Sequence, residues 1–163
     1  MLFRSGTLTS NTLTVGEVYS PMGLDSRVVL LLAAIAETHS THPIAQAIKN
    51  AAPEFDSSIV GASKEIPGHG ASVIFCGKRV TCGSKKLMES MGIRVDDYDD
   101  GILVAVDYDL VGCIHLRAEI RDDAQQAIVA LRESGIGHIV MLTGDHAEAA
   151  RQIAKEIDRK SVV

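Results

Sequence analysis

The stretch Glu37-Thr38-His39-Ser40-Thr41-His42-Pro43-Ile44-Ala45-Gln46-Ala47 decides how this chain is read. A proline biases the residue before it toward extended backbone, so His42 is expected outside the α region. Pro43 is itself well placed as the first residue of a helix. The run ahead of this stretch, Val28 to Ala36, is apolar throughout and reads as a buried helix ending near Glu37. The pattern is therefore helix, turn, helix, with Glu37, His39 and His42 on the turn. Such a turn can present a flat ring and a hydrogen-bond acceptor to a planar ligand. It can equally be a polar loop between two helices, and spacing alone does not separate the two.

Working outward, Asp25 or Ser26 can cap the first helix, and Pro21 to Leu24 is a turn. Before it, Leu13 to Val18 reads as a short strand. The second helix runs from Pro43 to about Ala52, with Ile44, Ala47 and Ile48 on one face. A β-rich section follows. Ser57 to Ile66 reads as a strand interrupted at Gly61, and Pro67-Gly68-His69-Gly70 as a turn. Ala71 to Cys76 and Arg79 to Gly83 form a hairpin through Gly77-Lys78. Ser84 caps a short helix over Lys85 to Met91, ended by Gly92. Asp96 to Asp100 is an acidic loop. Ile102 to Val106 and Val111 to Leu116 form a second hairpin. Together these make a mostly antiparallel sheet with helices on one side.

Near Leu116 the pattern changes. Arg121 to Ser134 is an amphipathic helix with Ala124, Ile128 and Leu131 inward and Gly135 after it. Ile136 to Leu142 has the apolar character of a parallel strand buried on both faces. Thr143-Gly144-Asp145 follows at its carboxyl end, and His146 to Ile157 is a further helix. In open α/β sheets, ligands bind outside the carboxyl ends of strands. The fold class is thus α+β: an antiparallel domain inserted into a partial α/β domain. The expected division is 1–16 and 115–163 for the α/β part and 17–114 for the insert.

Composition narrows the function classes. The 163 residues carry a net charge of -5 with no Lys/Arg cluster, which argues against a nucleic-acid surface. The three cysteines, Cys76, Cys82 and Cys113, never form Cys-x-x-Cys and read as buried thiols. The six histidines do not fall at metal-ligand spacing with them. No apolar run approaches the ~20 residues a membrane helix needs, and no signal peptide is evident.

Glycines around His69, in Gly68-His69-Gly70, and the pair Gly83-Ser84 allow a close backbone approach such as a ribose or phosphate requires. With Glu37 and His42 they make a nucleotide pocket: a ring to stack a base, an acceptor for an exocyclic amine, glycines for sugar and phosphates. Stacking of a base on a side-chain ring contributes about 1–3 kcal/mol. Affinity between about tens of micromolar and millimolar is the matching expectation.

Taken in order, these motifs resemble the cytoplasmic catalytic region of heavy-metal-transporting P-type ATPases (type IB), over nearly the whole chain. Ser5-Gly6-Thr7-Leu8-Thr9 is similar to the end of the Asp-Lys-Thr-Gly-Thr-Leu-Thr phosphorylation motif. Glu37 with Ser40-Thr41-His42-Pro43 resembles the Glu…Ser-x-His-Pro signature. Gly68-His69-Gly70 resembles its Gly-x-Gly, Gly83-Ser84 its Gly-Asn, and Thr143-Gly144-Asp145 its Thr-Gly-Asp. The resemblance implies a nucleotide-binding domain inserted in a phosphorylation domain of haloacid-dehalogenase type. By that resemblance His42 orients and stacks the adenine of ATP, and Glu37 accepts from its amino group. Gly68, Gly70, Gly83 and Ser84 shape the ribose–phosphate end. Thr143, Gly144 and Asp145 sit near the transferred phosphoryl group, Asp145 and Arg121 help hold the phosphates or the closed domain arrangement, and Mg2+ acts in the intact protein. The implied partners are adenine nucleotide and the membrane and actuator domains of a pump. The chain itself is then a cytoplasmic soluble fragment of a membrane protein, and the wording around His42 leans toward zinc, cadmium and cobalt rather than copper.

The chain also departs from that pattern. Phe3, Arg4 and Ser5 stand where the family has its phosphorylated Asp, Lys and Thr. Ala118 replaces an Asp and Ser84 an Asn, and the magnesium-binding Gly-Asp-Gly-x-Asn-Asp segment does not occur. Phe cannot replace a carboxylate nucleophile in covalent phosphoryl transfer. The expectation is a piece of a larger pump that binds nucleotide without turnover and self-associates through its incomplete α/β sheet. Two other readings remain: a non-catalytic nucleotide-binding regulatory module, and a capped phosphatase of the haloacid-dehalogenase kind.

Overall fold

A computed structural model of the chain describes residues 2–4, 9–95, 98, 100–121 and 123–142. In chain order its elements are β1 (Leu2–Arg4), β2 (Thr9–Tyr19), α1 (Ser26–Ala36) and α2 (Pro43–Ala51). A 3-10 turn over Ser57–Ile59 leads to β3 (Lys64–Ile66), β4 (Gly70–Phe75), β5 (Lys78–Gly83) and α3 (Lys85–Ser90). The remaining elements are β6 (Ile102–Val106), β7 (Asp109–Ile120), α4 (Ala124–Glu133) and β8 (Val140–Leu142). The chain divides into two compact units, residues 13–116 and residues 1–12 with 117–163.

The first unit is built on a six-stranded sheet of order β2-β7-β6-β5-β4-β3. The ladders from β3 through β7 are antiparallel. Helix α1 starts where expected, because the Asp25 carboxylate accepts from the Arg27 amide at 2.7 Å. Such a cap satisfies one of the donors a helix start leaves open. Its apolar residues Val29, Ala33 and Ala36 are fully buried and join Ile48 of α2 with Val73, Val80 and Val104 of the sheet. Contact between α1 and the sheet is tight: a side chain at Gly112 would run into Val29.

Four expectations are corrected. The helices do not all lie on one side. Residues of a strand alternate between faces, and all five residues of β6, Ile-Leu-Val-Ala-Val, are apolar. Ile102, Val104 and Val106 pack with the α1–α2 core, whereas Leu103 and Ala105 pack with Met88 of α3, Ile93 and Val95. A strand apolar on both faces needs cover on both. Second, Ser57 to Ile66 is not one strand. Asp56 accepts from the amide and hydroxyl of Ser58 at 2.9 and 2.6 Å and starts the 3-10 turn, leaving only Lys64–Ile66 to pair. Third, the first hairpin turns at Cys76-Gly77, since Phe75 pairs with Lys78. Both turn residues have positive φ, 50° and 77°, as a two-residue turn matched to strand twist requires. Fourth, Cys76 is therefore an exposed thiol, while Cys82 and Cys113 are buried.

In the second unit β1 and β8 pair in parallel, with Leu2 opposite Val140 and Phe3 opposite Met141. Helix α4 buries Ala124 and Ile128, with Leu131 half-buried. Residues 5–8 and 143–163, which hold most of the Ser5–Thr9 motif, Thr143-Gly144-Asp145 and the expected helix from His146, lie outside the described residues.

A nucleotide-sized cleft around His42

Glu37, His42, Gly68, Gly70, Gly83 and Ser84 come from separate stretches of the 13–116 unit and line one cleft of about 210 Å³. Ser40, Glu65 and His69 also line it, with Ile44, Ile66 and Ile102 as apolar walls.

His42 is held by the backbone around it. Its φ and ψ are -61° and 143°, the extended conformation that Pro43 imposes. Its Nδ1 accepts from the Ile44 amide at 3.2 Å, so the side chain is the N-cap of α2. That bond uses the Nδ1 lone pair, so in the neutral ring the proton resides on Nε2. The loop before it is fixed at several points. The Ser40 amide donates to the Glu37 carbonyl at 3.0 Å. The Ser40 hydroxyl accepts from the His42 amide at 3.3 Å, and Lys49 Nζ donates to the Ser40 carbonyl at 2.7 Å.

Glu37 closes α1, its amide donating to the Ala33 carbonyl at 3.0 Å. Only 6% of the residue is exposed. Burial pushes its carboxyl above the usual range. Hydrogen bonds from Ser40 and Cys82 act the other way, the Glu65 charge raises it further, and His42 lowers it. The Cys82 thiol lies fully buried against it. Burial, and then the Glu37 charge, hold that thiol well above its ordinary value, so Cys82 stays an S–H donor. The sign of the pH effect follows. The folded-state value for Glu37 is raised, so its contribution to stability is complete below the ordinary carboxyl range. That contribution is lost as pH rises through the folded value. Glu37→Gln is neutral throughout, so its thermal midpoint relative to the parent should climb as pH rises above the ordinary carboxyl range and through the raised folded-state value, by on the order of a few °C. Melting curves check this, and a difference that stays flat or shrinks with pH rejects the buried-charge account.

The glycines have a role inside the protein first. Gly70 and Gly83 are opposite each other in the β4–β5 ladder. A Cβ at Gly70 would run into the Cys82 carbonyl oxygen and lie 2.5 Å from Gly83 Cα. At Gly83 it would run into the His69 carbonyl oxygen and lie 2.8 Å from Leu87 Cδ2. The bare backbone they present to the cleft therefore comes with the strand contact they permit. Gly68 differs: φ is 73° and no atom lies within 4 Å of a built Cβ. Ser84 caps α3, its hydroxyl accepting from the Leu87 amide at 3.4 Å.

Arg121 belongs to the other unit, where its Nε and Nη2 both donate to Asp123 at 2.9 Å. It flanks an open depression with Ser10, Thr12 and Glu119. Its expected companions Thr143, Gly144 and Asp145 lie outside the described residues. Among the described residues no group of three His, Cys, Asp or Glu side chains could hold a metal ion, and no helix is long and apolar enough to cross a membrane. Sequence reading missed Glu65 and His69 as members of the cleft, and Cys82 as the buried neighbour of Glu37. Glu65 has no spacing signal, because it arrives from an edge strand. Cys82 could have been flagged by its place directly before Gly83.

The family model for haloacid dehalogenase-like hydrolases matches residues 5–162, and the chain belongs to that family. Its relatives are heavy-metal P-type ATPases. The cadmium, zinc and cobalt-transporting ATPase of Bacillus subtilis is 37% identical over 158 residues, covering 94% of this chain and 22% of that protein. The zinc-transporting ATPase of Synechocystis is 38% identical over the same shares. The chain thus spans about a fifth of the length of these relatives, 22% in each case. The crystal structure of a zinc-transporting PIB-type ATPase superposes with a TM-score of 0.70 at 29% identity, over 95% of this chain and 27% of that one. The N-domain of a copper-transporting P-type ATPase superposes with a TM-score of 0.55 at 31% identity, over 66% of this chain and all of that one.

Proposed function

We propose that residues 13–116 bind the adenine base of ATP as the nucleotide-binding unit of a larger heavy-metal-transporting P-type ATPase. One observation carries this reading. Six residues, from the turn after α1, the turn before β4 and the end of β5, converge on one cleft beside a backbone-anchored imidazole. The ring gives the base a stacking plane. Glu37, buried beside it, accepts from an exocyclic amine, and the glycine backbone leaves room for the sugar and phosphates. A division at 1–16, 17–114 and 115–163 into phosphorylation-domain halves and inserted nucleotide domain belongs to the same proposal. So do the roles of Arg121, Thr143, Gly144 and Asp145 at a transferred phosphoryl group, the use of Mg2+, and the membrane and actuator domains as partners. Phe3 occupies the nucleophile's place and lies opposite Met141 in the β1–β8 pair. Without a carboxylate there, the chain binds nucleotide and forms no aspartyl-phosphate at that position.

Amide NMR of the folded chain titrated with ATP, ADP, AMP and GTP tests the reading. Adenine nucleotides should shift amides at 37–46, 65–70 and 83–84 with Kd between about tens of micromolar and millimolar, and GTP should not. A folded chain unmoved by about 5 mM ATP, weaker than the weakest binding expected, rejects the adenine site.

A further inference from the structure

We propose that Glu65 is a second base-reading residue of the cleft, pairing with Glu37 across the Ser40 hydroxyl so that both N–H bonds of an exocyclic amine find a carboxylate. This rests on the adenine reading above and deepens it. Glu37 lies at the buried end of the cleft and Glu65 on its exposed rim, on the edge strand β3. Ser40 stands between them. Its hydroxyl accepts from the His42 amide at 3.3 Å and donates to Glu65 Oε1 at 3.2 Å, and Ser40 lines the cleft together with Glu37 and favours the charged form of its carboxyl. A serine hydroxyl has one proton to give. That proton goes to Glu65, so two carboxylates line the same cleft as a hydroxyl that can supply only one of their four oxygens, and acceptor capacity is left for a ligand.

The rest of the wall does not fill it either. Among the described residues lining the cleft there is no lysine or arginine. Glu37 has the Cys82 thiol as a further donor, and the Glu65 charge is felt at Glu37. A ligand entering this end is selected for donors. A primary exocyclic amine on a six-membered ring carries two N–H bonds that diverge in the ring plane, which suits two acceptors on either side of it. An oxo group at the same position brings lone pairs toward two carboxylates and is rejected, because it leaves those charges without a donor. With Glu37 alone the second N–H would face solvent. With Glu65 it is read.

The experiment compares the full chain with Glu65→Ala and Glu65→Gln, by calorimetric or NMR titration with ATP, N6-methyl-ATP, N6,N6-dimethyl-ATP and GTP. Glu65 is exposed, so both variants keep the fold, which the amide spectrum verifies. In the parent, each methyl should weaken binding roughly ten- to 150-fold, the usual range for one hydrogen bond to a charged partner. Glu65→Ala should weaken ATP by a similar factor and bring the ratio of ATP to N6-methyl-ATP affinity close to one. Glu65→Gln keeps an acceptor oxygen and should fall between. If Glu65→Ala binds ATP like the parent and preserves the parent's ratio, Glu65 does not read the base, while Glu37 and His42 still can. If the folded parent binds no nucleotide, the adenine reading fails and this inference falls with it.

Discussion

Gly70→Ala is expected to cost the 13–116 unit about 2–6 kcal/mol, enough to leave a large share of a marginally stable domain unfolded. Two penalties add. The φ of 139° lies where side chains are rarely tolerated, at about 1–3 kcal/mol. The new Cβ also meets the Cys82 carbonyl oxygen and Gly83 Cα of the neighbouring strand. Relief requires β4 and β5 to part at the register where they pair, and overpacking of that kind costs about 1–3 kcal/mol more. Gly68→Ala is the control. Its φ of 73° is also left-handed, but nothing lies within 4 Å of the added methyl, so only the backbone penalty of about 1–2 kcal/mol applies. Urea unfolding of both variants measures the difference. Equal losses would show that the backbone angle alone matters and that the strand contact does not.

His42→Ala should weaken ATP binding roughly 5- to 150-fold, the equivalent of losing about 1–3 kcal/mol of base stacking. It should also lower stability by about 1 kcal/mol, because the imidazole caps α2. The two losses come apart in His42→Asn. Asparagine is among the strongest N-caps, so this variant should recover most of the thermal midpoint and none of the stacking. Recovery of binding along with stability would mean that the ring serves the helix and not a ligand. The loop that places the ring is held independently of it, through Lys49 to the Ser40 carbonyl, so neither variant should displace Glu37.

The parts of this molecule visible in the sequence are those decided locally. Asp25 before an apolar run, Pro43 at a helix start and Ser84 before Leu87 each act within a few residues, and each element begins where those residues say. Local rules failed where tertiary pairing or a short-range competitor took over. The Asp56–Ser58 bonds outcompete extension in the segment before β3. The turn at Cys76-Gly77 is set by positive φ at two residues, one of them not glycine. Strand β7 continues to Ile120 because Leu116, Ala118 and Ile120 alternate with exposed neighbours, a pattern masked by the charges at Arg117 and Glu119. For the site, Glu37 and His42 were legible because they share one turn. Gly68, Gly70 and Gly83 stood out as glycines, although Gly70 and Gly83 stand there for each other's strand. Glu65 and Cys82 were not legible. Glu65 reaches Ser40 across 25 residues of chain, and Cys82 meets Glu37 only once the sheet has formed.

The chain enters the 13–116 unit along β2 and leaves it along β7, and those strands are neighbours in the sheet. Both ends of a long excursion are therefore tied side by side by the ladder itself. To the polypeptide that carries it, the excursion is equivalent to an oversized hairpin loop, and lengthening such a loop adds closure cost only slowly. The unit is accordingly a cassette, able to be lifted out or exchanged for another while the host keeps its own strand order. The separately crystallised N-domain of the copper-transporting relative, all of whose length is matched by 66% of this chain, is such a cassette on its own.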